Sequence, residues 1–188
     1  MARIDDILGF WFGVDGAPAR LDVWFKADPA FDRACIEGYR ADHEAAAAGR
    51  LDAWAASPAG SLALVLCLDQ FPRNMFRGTA QAFATDAQAR TVAERALDAG
   101  HDRALPPARR MVLYLPFEHS EDVADPRRSV ALFRSLADQP WGPEGVRSAE
   151  RHLEIVARFG RFPHRNAALG RTTTPEEARF LTEPNSSF

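Results

Sequence analysis

Four prolines in this sequence directly follow a side chain that caps helix N-termini, and these pairs constrain the fold more than any other feature. Proline loses no hydrogen bond at the first helical position, and the residue before it accepts from N–H groups that a helix start leaves unpaired. The strongest start is Thr174, because Glu177 completes a reciprocal capping box. The pairs are Asp28-Pro29, Ser57-Pro58, Asp125-Pro126 and Thr174-Pro175.

Helix ends and helical periodicity agree with these starts. Gly49, Gly100 and Gly160 follow helical patterns, and we expect each to end a helix. Apolar residues recur at the 3.6-residue period in residues 85–99 and 146–159. Both segments are therefore predicted to be helices.

Two apolar runs, residues 62–68 and 111–115, are compatible with buried strands by periodicity alone. Ser57-Pro58 precedes the first run and Pro106-Pro107 precedes the second, which favours helix for both. No alternating polar and apolar segments are available elsewhere to pair with them as strands. The sequence predicts an all-α fold of about eight helices.

The charge balance excludes two classes of partner. Against 26 Asp and Glu there are 23 Lys and Arg, and the basic residues are scattered rather than gathered in one stripe. Such a pattern lacks the basic surface that nucleic acid requires. The longest apolar run, residues 62–68, is far shorter than a membrane span. We expect neither nucleic acid nor a membrane as partner.

Domain organisation and location follow from the connections, the cysteines and the first residues. Short connections without Ser/Gly-rich stretches predict a single helical domain over residues 1–188. Cys35 and Cys67 have apolar or small neighbours, so both are predicted to be buried and unpaired. Asp5 and Asp6 stand where a secretory signal carries bases, which indicates a cytoplasmic protein.

Three short stretches combine polar groups with aromatic residues and proline, and each follows a predicted buried helix. They are residues 69–74 (DQFPRN), 117–121 (FEHSE) and 161–166 (RFPHRN). One interpretation is helix termination, because proline and asparagine both favour helix ends. The other is a functional site assembled from all three stretches.

Three ionisable residues are placed where solvation is poor. Asp69 follows an apolar helix and needs a partner, for which Arg73, Arg161 and Arg165 are the candidates by residue type. His152 projects from the centre of an apolar helical face, so its imidazole is predicted to be buried, more often a core residue than a ligand. Asp86 falls on the apolar side of its helix, where the helix dipole offers a simpler explanation.

Spacing gives no support for a metal or for a nucleophilic elbow. The sequence has no His-Glu-x-x-His and no Gly-x-Ser-x-Gly, and glycine-rich phosphate loops are absent too. No metal is predicted, and the sequence assigns no cofactor.

The motifs resemble a known bacterial family, domain of unknown function 924. The matching stretches occur in order along nearly the whole chain: ILGFWFG (7–13), WF (24–25), LDQFPRN (68–74), FRG (76–78), ATD (84–86), PFEHSE (116–121) and RFGRFPHRN (158–166). The resemblance implies antiparallel helix pairs stacked as a right-handed, tetratricopeptide-like superhelix. It implies no activity.

Two hypotheses of function stay open at this level. The first is a His/Arg/carboxylate pocket that binds a small anionic molecule and includes residues able to act as general acid or base. Its predicted catalytic residues are His119, His164 and Glu118, and its predicted ligand-binding residues are Asp69, Arg73, Asn74, Glu121, Arg161, Arg165 and Asn166.

The second hypothesis is a helical-repeat scaffold that binds a peptide or protein partner on its concave face. In that case the polar motifs only hold helices together, and the evidence is fold-level analogy. The sequence assigns no oligomeric state.

Overall fold

In the computed structural model, which describes residues 2–13, 24 and 27–187, all regular structure is helical. The predicted all-α fold is confirmed, and the superhelical arrangement stays a prediction. Phe25, one of the residues in the resemblance, lies outside the described residues. The α-helices are α1 (Ala2–Phe12), α2 (Pro29–Ala47), α3 (Pro58–Val65), α4 (Phe71–Met75), α5 (Asp86–Asp98), α6 (Pro107–Glu118), α7 (Ala124–Arg134), α8 (Gly142–Phe159) and α9 (Pro175–Phe180).

Three of the four predicted helix starts are confirmed. The Asp28 carboxylate accepts from the N–H groups of Ala30 and Phe31, at 2.8 and 3.3 Å. Ser57 Oγ accepts from the N–H of Gly60 at 3.1 Å. At α9 the capping box is complete, with Thr174 Oγ1 and the Glu177 carboxylate each accepting the other residue's backbone N–H.

The predicted start at Asp125-Pro126 is wrong. Helix α7 begins at Ala124, so Asp125 and Pro126 lie inside its first turn. The N–H of Ala124 donates to the Asp122 carboxylate at 3.1 Å, and the Asp125 carboxylate accepts from Ser120 Oγ at 2.7 Å. Proline is tolerated there because first-turn N–H groups have no partner inside the helix.

Both predicted periodic segments and both ambiguous runs are helical. Residues 85–99 correspond to α5, and residues 146–159 lie in α8, which begins one turn earlier than predicted. Residues 111–115 lie inside α6. Residues 62–68 cover the end of α3 and part of a π-helical turn, Leu66–Gln70, which leads into α4. The expected helix ends are also correct, since Gly49, Gly100 and Gly160 adopt φ angles of 72°, 71° and 67°.

The chain divides into two compact units. The first comprises residues 1–77 and 81–116, and the second comprises residues 78–80 and 117–188. Helix α6 carries the chain from the first unit into the second. The prediction of one domain over the whole chain stays a prediction.

In the first unit the core is built around α3. Every residue from Leu62 to Leu68 is at most 2% exposed, and α3 packs against α1 and α5. Aromatic residues extend this core: the indoles of Trp11 and Trp24 stack with centroids 6.0 Å apart, and Trp24 Nε1 donates to the Trp11 carbonyl. Burial of each large apolar side chain contributes roughly 1.5–3 kcal/mol.

In the second unit α7 packs against α8. One face of α8 contributes Ile155 and Val156 to an apolar cluster that also contains Phe162 and Phe180. Gly142 lies at the start of α8, where a Cβ atom would stand 2.2 Å from the Leu136 carbonyl oxygen. The backbones therefore approach too closely for any other residue at this position.

The remaining sequence predictions on burial are confirmed. Cys35 and Cys67 are free and fully buried, and burial raises the pKa of the Cys35 thiol to about 12. No helix in the described part of the chain combines the length and the apolar character that crossing a bilayer requires.

Replacing Gly142 with alanine is expected to destabilise the protein by about 1–3 kcal/mol, because the new methyl group overlaps the Leu136 carbonyl. Gly38→Ala is the matched control: Gly38 lies exposed in α2 with open space around its Cα, so alanine should stabilise that helix by about 0.5–1 kcal/mol. Urea unfolding of both variants measures the two effects. Equal effects of one sign would contradict this account of Gly142.

Candidate functional site

The predicted site residues are distributed over both units, and each group has its own contacts within its unit. The first unit contains Asp69, Arg73 and Asn74. The second unit contains Glu118, His119, Glu121, Arg161, His164, Arg165 and Asn166.

Asp69 is fully buried on the π-helical turn and contacts Arg73, one of its three predicted partners. Its carboxylate lies 3.2 Å from Arg73 Nη1 and accepts from Gln70 Nε2 at 2.5 Å. The Arg73 guanidinium also makes a two-pronged ion pair with Asp86, at 2.8 and 3.0 Å. One arginine thus bridges two carboxylates. Asp86 is therefore stabilised by an ion pair in addition to the helix dipole.

Proline explains why the turn carrying Asp69 is irregular. Pro72 has no N–H, so it cannot donate to the carbonyl of Leu68. That carbonyl accepts from Thr85 Oγ1 at 2.5 Å instead. Asn74 is held in the same manner, because its amide donates to the Gln70 carbonyl and accepts from Arg77. The helix-termination interpretation is wrong for this stretch, because Pro72 and Asn74 lie inside α4, and the bond from Thr85 attaches the start of α5 to the π-helical turn.

Glu118 is at the centre of the polar residues of the second unit. It ends α6, is 2% exposed, and its Oε1 accepts from Ser148 Oγ at 2.8 Å. The same oxygen lies 2.9 Å from His152 Nδ1, which also lies 2.9 Å from the Ser148 carbonyl. Because both neighbours of Nδ1 are acceptors, this nitrogen carries the proton and donates to them. His152 is buried as predicted, but it is bonded to a carboxylate.

Aromatic rings and a guanidinium surround this pair. The centroids of His119 and His152 are 6.2 Å apart, and Phe162 lies 5.5 Å from His152 and 5.6 Å from His164. Arg165 places its Cζ 4.5 Å from the centroid of the Phe162 ring. We call this group the histidine cluster; it comprises Glu118, His119, Ser148, His152, Phe162, His164 and Arg165.

The surroundings of the histidine cluster lower the pKa of two of its side chains, Glu118 and His164. Burial alone would raise the pKa of Glu118, but the charge and hydrogen bond of His152, with His119 and Ser148, hold that pKa below its usual 4.5. Burial, followed by the positive charge of Arg165, lowers the pKa of His164 to about 3. At neutral pH Glu118 is therefore ionised and His164 is uncharged.

Glu121 is bonded within the chain. Its carboxylate makes a two-pronged ion pair with Arg171, at 2.7 and 3.0 Å, and accepts from the N–H of Phe162 at 2.8 Å. Arg171 also donates to the carbonyl of Phe162. The Glu121–Arg171 pair therefore binds both the N–H and the carbonyl of Phe162, and so fixes the backbone of the residue whose ring contacts the histidine cluster.

Arg161 and Asn166 both contact Glu177. Arg161 donates to both oxygens of that carboxylate, at 2.6 and 2.8 Å, and to the carbonyl of Thr172. The Asn166 amide donates to Glu177 and to Thr173, both at 3.3 Å. These contacts attach the residues after α8 to the first turn of α9.

Two shallow surface depressions lie in the second unit. The larger, about 450 Å³, is beside Glu121, and the smaller, about 290 Å³, is beside Arg161. The larger is lined by Glu121, Asp122, Val123, Arg127, Val156, Ala157 and Gly160. Each depression includes one predicted site residue. Among the described residues no group of three or more His, Cys, Asp or Glu is arranged to hold a metal ion.

Sequence reasoning did not include four residues that organise these contacts. Ser148 and Arg171 carry no signal of their own in one sequence, because serine and arginine are ordinary on helices and loops. Glu177 was recognised as part of the capping box, but its pairing with Arg161 was not. His152 was singled out as buried but not assigned to the site. Its place on an apolar helical face was the available signal, because a buried imidazole needs an acceptor or a carboxylate.

The family model described as "Bacterial protein of unknown function (DUF924)" matches residues 7–185. The chain belongs to this family. A solved structure, described as a protein of unknown function, ATU0120, from Agrobacterium tumefaciens, is similar to the chain with 45% sequence identity and a TM-score of 0.87. The similarity covers 96% of this chain and 97% of that one. No curated protein matches the chain. The resemblance of the sequence motifs to the DUF924 family is therefore confirmed.

Replacing Arg73 with methionine is expected to destabilise the protein by about 3–5 kcal/mol, because the buried Asp69 carboxylate loses its cation. Arg134→Met is the matched control, since its ion pair with Glu150 is exposed and should contribute less than about 1 kcal/mol. Chemical denaturation of both variants measures the difference. If Arg73→Met lowers the free energy of unfolding no more than Arg134→Met does, the buried ion pairs of Arg73 with Asp69 and Asp86 do not stabilise the fold as proposed here.

Glu177 is expected to make stability depend on acid. Hydrogen bonds from Arg161, and from the N–H of Thr174, lower the pKa of Glu177 to about 2 even though burial opposes them. A lowered carboxyl pKa stabilises the fold above the unfolded value near 4.5, and this stabilisation is lost as pH falls towards 2. The difference in unfolding free energy between wild type and Glu177→Gln should therefore shrink over that range.

Thermal unfolding at several pH values measures this difference. Glu176→Gln is the control for removing one negative charge from α9. A wild-type advantage over Glu177→Gln that is constant from neutral pH down to pH 2 would refute the assignment.

Proposed function

We propose that this protein binds a small anionic molecule at the histidine cluster of the second unit. The observation that carries the proposal is that ionisable side chains from distant parts of the sequence meet at the histidine cluster. His152, His164 and Arg165 contact the ring of Phe162, and His152 in turn lies beside His119 and is bonded to the buried Glu118, so three separate segments of the chain contribute to the group. A folded core gains more from apolar side chains at such positions, so a group of this kind favours a site.

The charge distribution supports an anion. Arg165 remains charged at any physiological pH, and its planar donors match carboxylate and phosphate oxygens. Its charge is the largest cause after burial of the lowered pKa of His164, and His152 and His119 act in the same direction. A positive environment that keeps one imidazole uncharged also attracts a negative ligand.

Exposure of the cluster residues supports a small ligand. His119 and His164 are partly exposed, whereas Glu118, His152 and Arg165 are between 2% and 6% exposed. A ligand that enters past the partly exposed His119 and His164 reaches the buried guanidinium of Arg165 only if the ligand itself is small. We therefore expect a molecule of metabolite size.

The cluster also contains groups suited to proton transfer. Glu118 orients the His152 imidazole through Nδ1, as carboxylates do for histidines that act as general bases. His164, uncharged at neutral pH, suits a proton acceptor better than a proton donor. Of the predicted catalytic residues, His119 is the one left for the role of general acid, and we propose that role without assigning a reaction.

The proposed site is smaller than the sequence predicted. In the first unit Asp69 and Asp86 both pair with Arg73, and Asn74 is bonded to Gln70, so we propose that Asp69, Arg73 and Asn74 stabilise the fold rather than bind a ligand. Glu121 and Arg161 are committed to ion pairs in the second unit, so their proposed role is to position the loop that carries Phe162.

The alternative, a scaffold that binds a peptide, stays a prediction. No specific observation favours it. Ile36, at 38% exposed, is the one large hydrophobic side chain exposed among the described residues, and a peptide-binding surface needs several such side chains side by side.

Titration of the wild-type protein with inorganic phosphate and with acetate, followed by amide NMR shifts, tests the proposed site. We expect saturable shifts at the histidine cluster, and Arg165→Met should weaken binding by about tenfold or more, because a charge-assisted hydrogen bond is lost. Arg151→Met is the matched control, since Arg151 also stacks on a phenyl ring, that of Phe180, but outside the cluster.

His119→Gln is the second variant, in case Arg165→Met does not fold. Equal affinity of wild type, His119→Gln and Arg165→Met would refute the proposal. So would shifts that saturate only outside the second unit.

A further inference from the structure

One oxygen of the buried Glu118 carboxylate lacks a hydrogen bond. Glu118 Oε1 receives Ser148 and His152, but no donor among the described residues reaches Oε2, which is buried. The side chain is 2% exposed, so the surrounding protein and not bulk water determines what this oxygen contacts. Buried carboxylate oxygens are costly to leave without a donor, and proteins retain few of them.

Protonation of Glu118 does not resolve this deficit at neutral pH. Burial would raise the pKa of Glu118, yet His152, His119 and Ser148 together hold it below 4.5. The carboxylate is therefore ionised, and an ionised oxygen prefers a positively charged donor to a neutral one. The matching donor is an ammonium group.

We propose that the anion bound by the histidine cluster also carries an ammonium group, which donates to Glu118 Oε2. This inference rests on the proposed function, because the anionic end of the ligand is the part held by Arg165 and the imidazoles. Glu118 and Arg165 give the cluster one negative and one positive buried side chain. A small zwitterion presents the complementary pair of charges. Amino carboxylic acids and amino phosphates share this chemistry.

Paired probes that differ only in the ammonium group test the inference. We would measure dissociation constants by calorimetry for 3-aminopropionate against propionate, and for O-phosphoethanolamine against ethyl phosphate. The wild type is expected to bind the amino member of at least one pair about tenfold tighter, because a hydrogen bond between two charged groups is gained. The pair that shows the preference identifies the anionic group as carboxylate or phosphate.

Glu118→Gln provides an atom-level control. Ser148 and His152 both donate to Oε1, so the glutamine oxygen should occupy that position and its NH₂ should replace Oε2. An ammonium group cannot accept from this NH₂. The variant should therefore lose the preference: the amino and non-amino members of each pair should bind it with dissociation constants within about twofold of each other, whatever the change in affinity common to both.

The outcomes separate this inference from the proposed function. Wild-type protein that binds both members of each pair equally would overturn the zwitterion and leave the anion site standing. A preference that survives in Glu118→Gln would overturn the role of Oε2. A stronger preference for 3-hydroxypropionate than for 3-aminopropionate would overturn the ammonium group. Failure of all probes, and of phosphate and acetate, would overturn the site itself.

Discussion

Every buried carboxylate in this fold needs a donor or a cation, and this requirement organises the polar motifs. Desolvation of an ionised carboxylate costs more than most single contacts return. The buried Asp69 therefore lies against Arg73, and the buried Glu177 against a guanidinium and a backbone N–H, and the partly exposed Glu121 is likewise paired with Arg171. Arg73 also joins α4 to α5 through Asp86, the Glu121–Arg171 pair joins two loops, and the Arg161–Glu177 pair joins the loop after α8 to α9. The apolar helices can pack as they do because the loops between them are held in this way.

Glu118 differs from the other carboxylates because half of its hydrogen-bonding capacity is used. Its Oε1 has two donors from α8, whereas Oε2 has none among the described residues. The brackets and the proposed site are thus made from the same residue types. What distinguishes Glu118 is its second oxygen: the carboxylates of Asp69, Glu121 and Glu177 have donors on both oxygens, whereas Glu118 has donors on one.

Local signals predicted the helices well. Asp28, Ser57 and Thr174 cap helices because their side chains reach N–H groups two or three residues away, which depends on no distant part of the chain. The same logic was wrong at Asp125, because α7 begins at Ala124 and the Asp125 carboxylate, inside the first turn, accepts from Ser120. Burial of His152 was also predictable, since it follows from its position on one helical face.

The sequence by itself determined the all-helical class, the helix ends and the list of polar groups that have to find partners. Only the tertiary structure decided which partners they found. Residues 118 and 148, or 121 and 171, are separated by 30 to 50 positions, and nothing local encodes their pairing. Helix formation depends on bonds between near neighbours in the chain, whereas a hydrogen bond between distant side chains forms only after packing fixes both backbones.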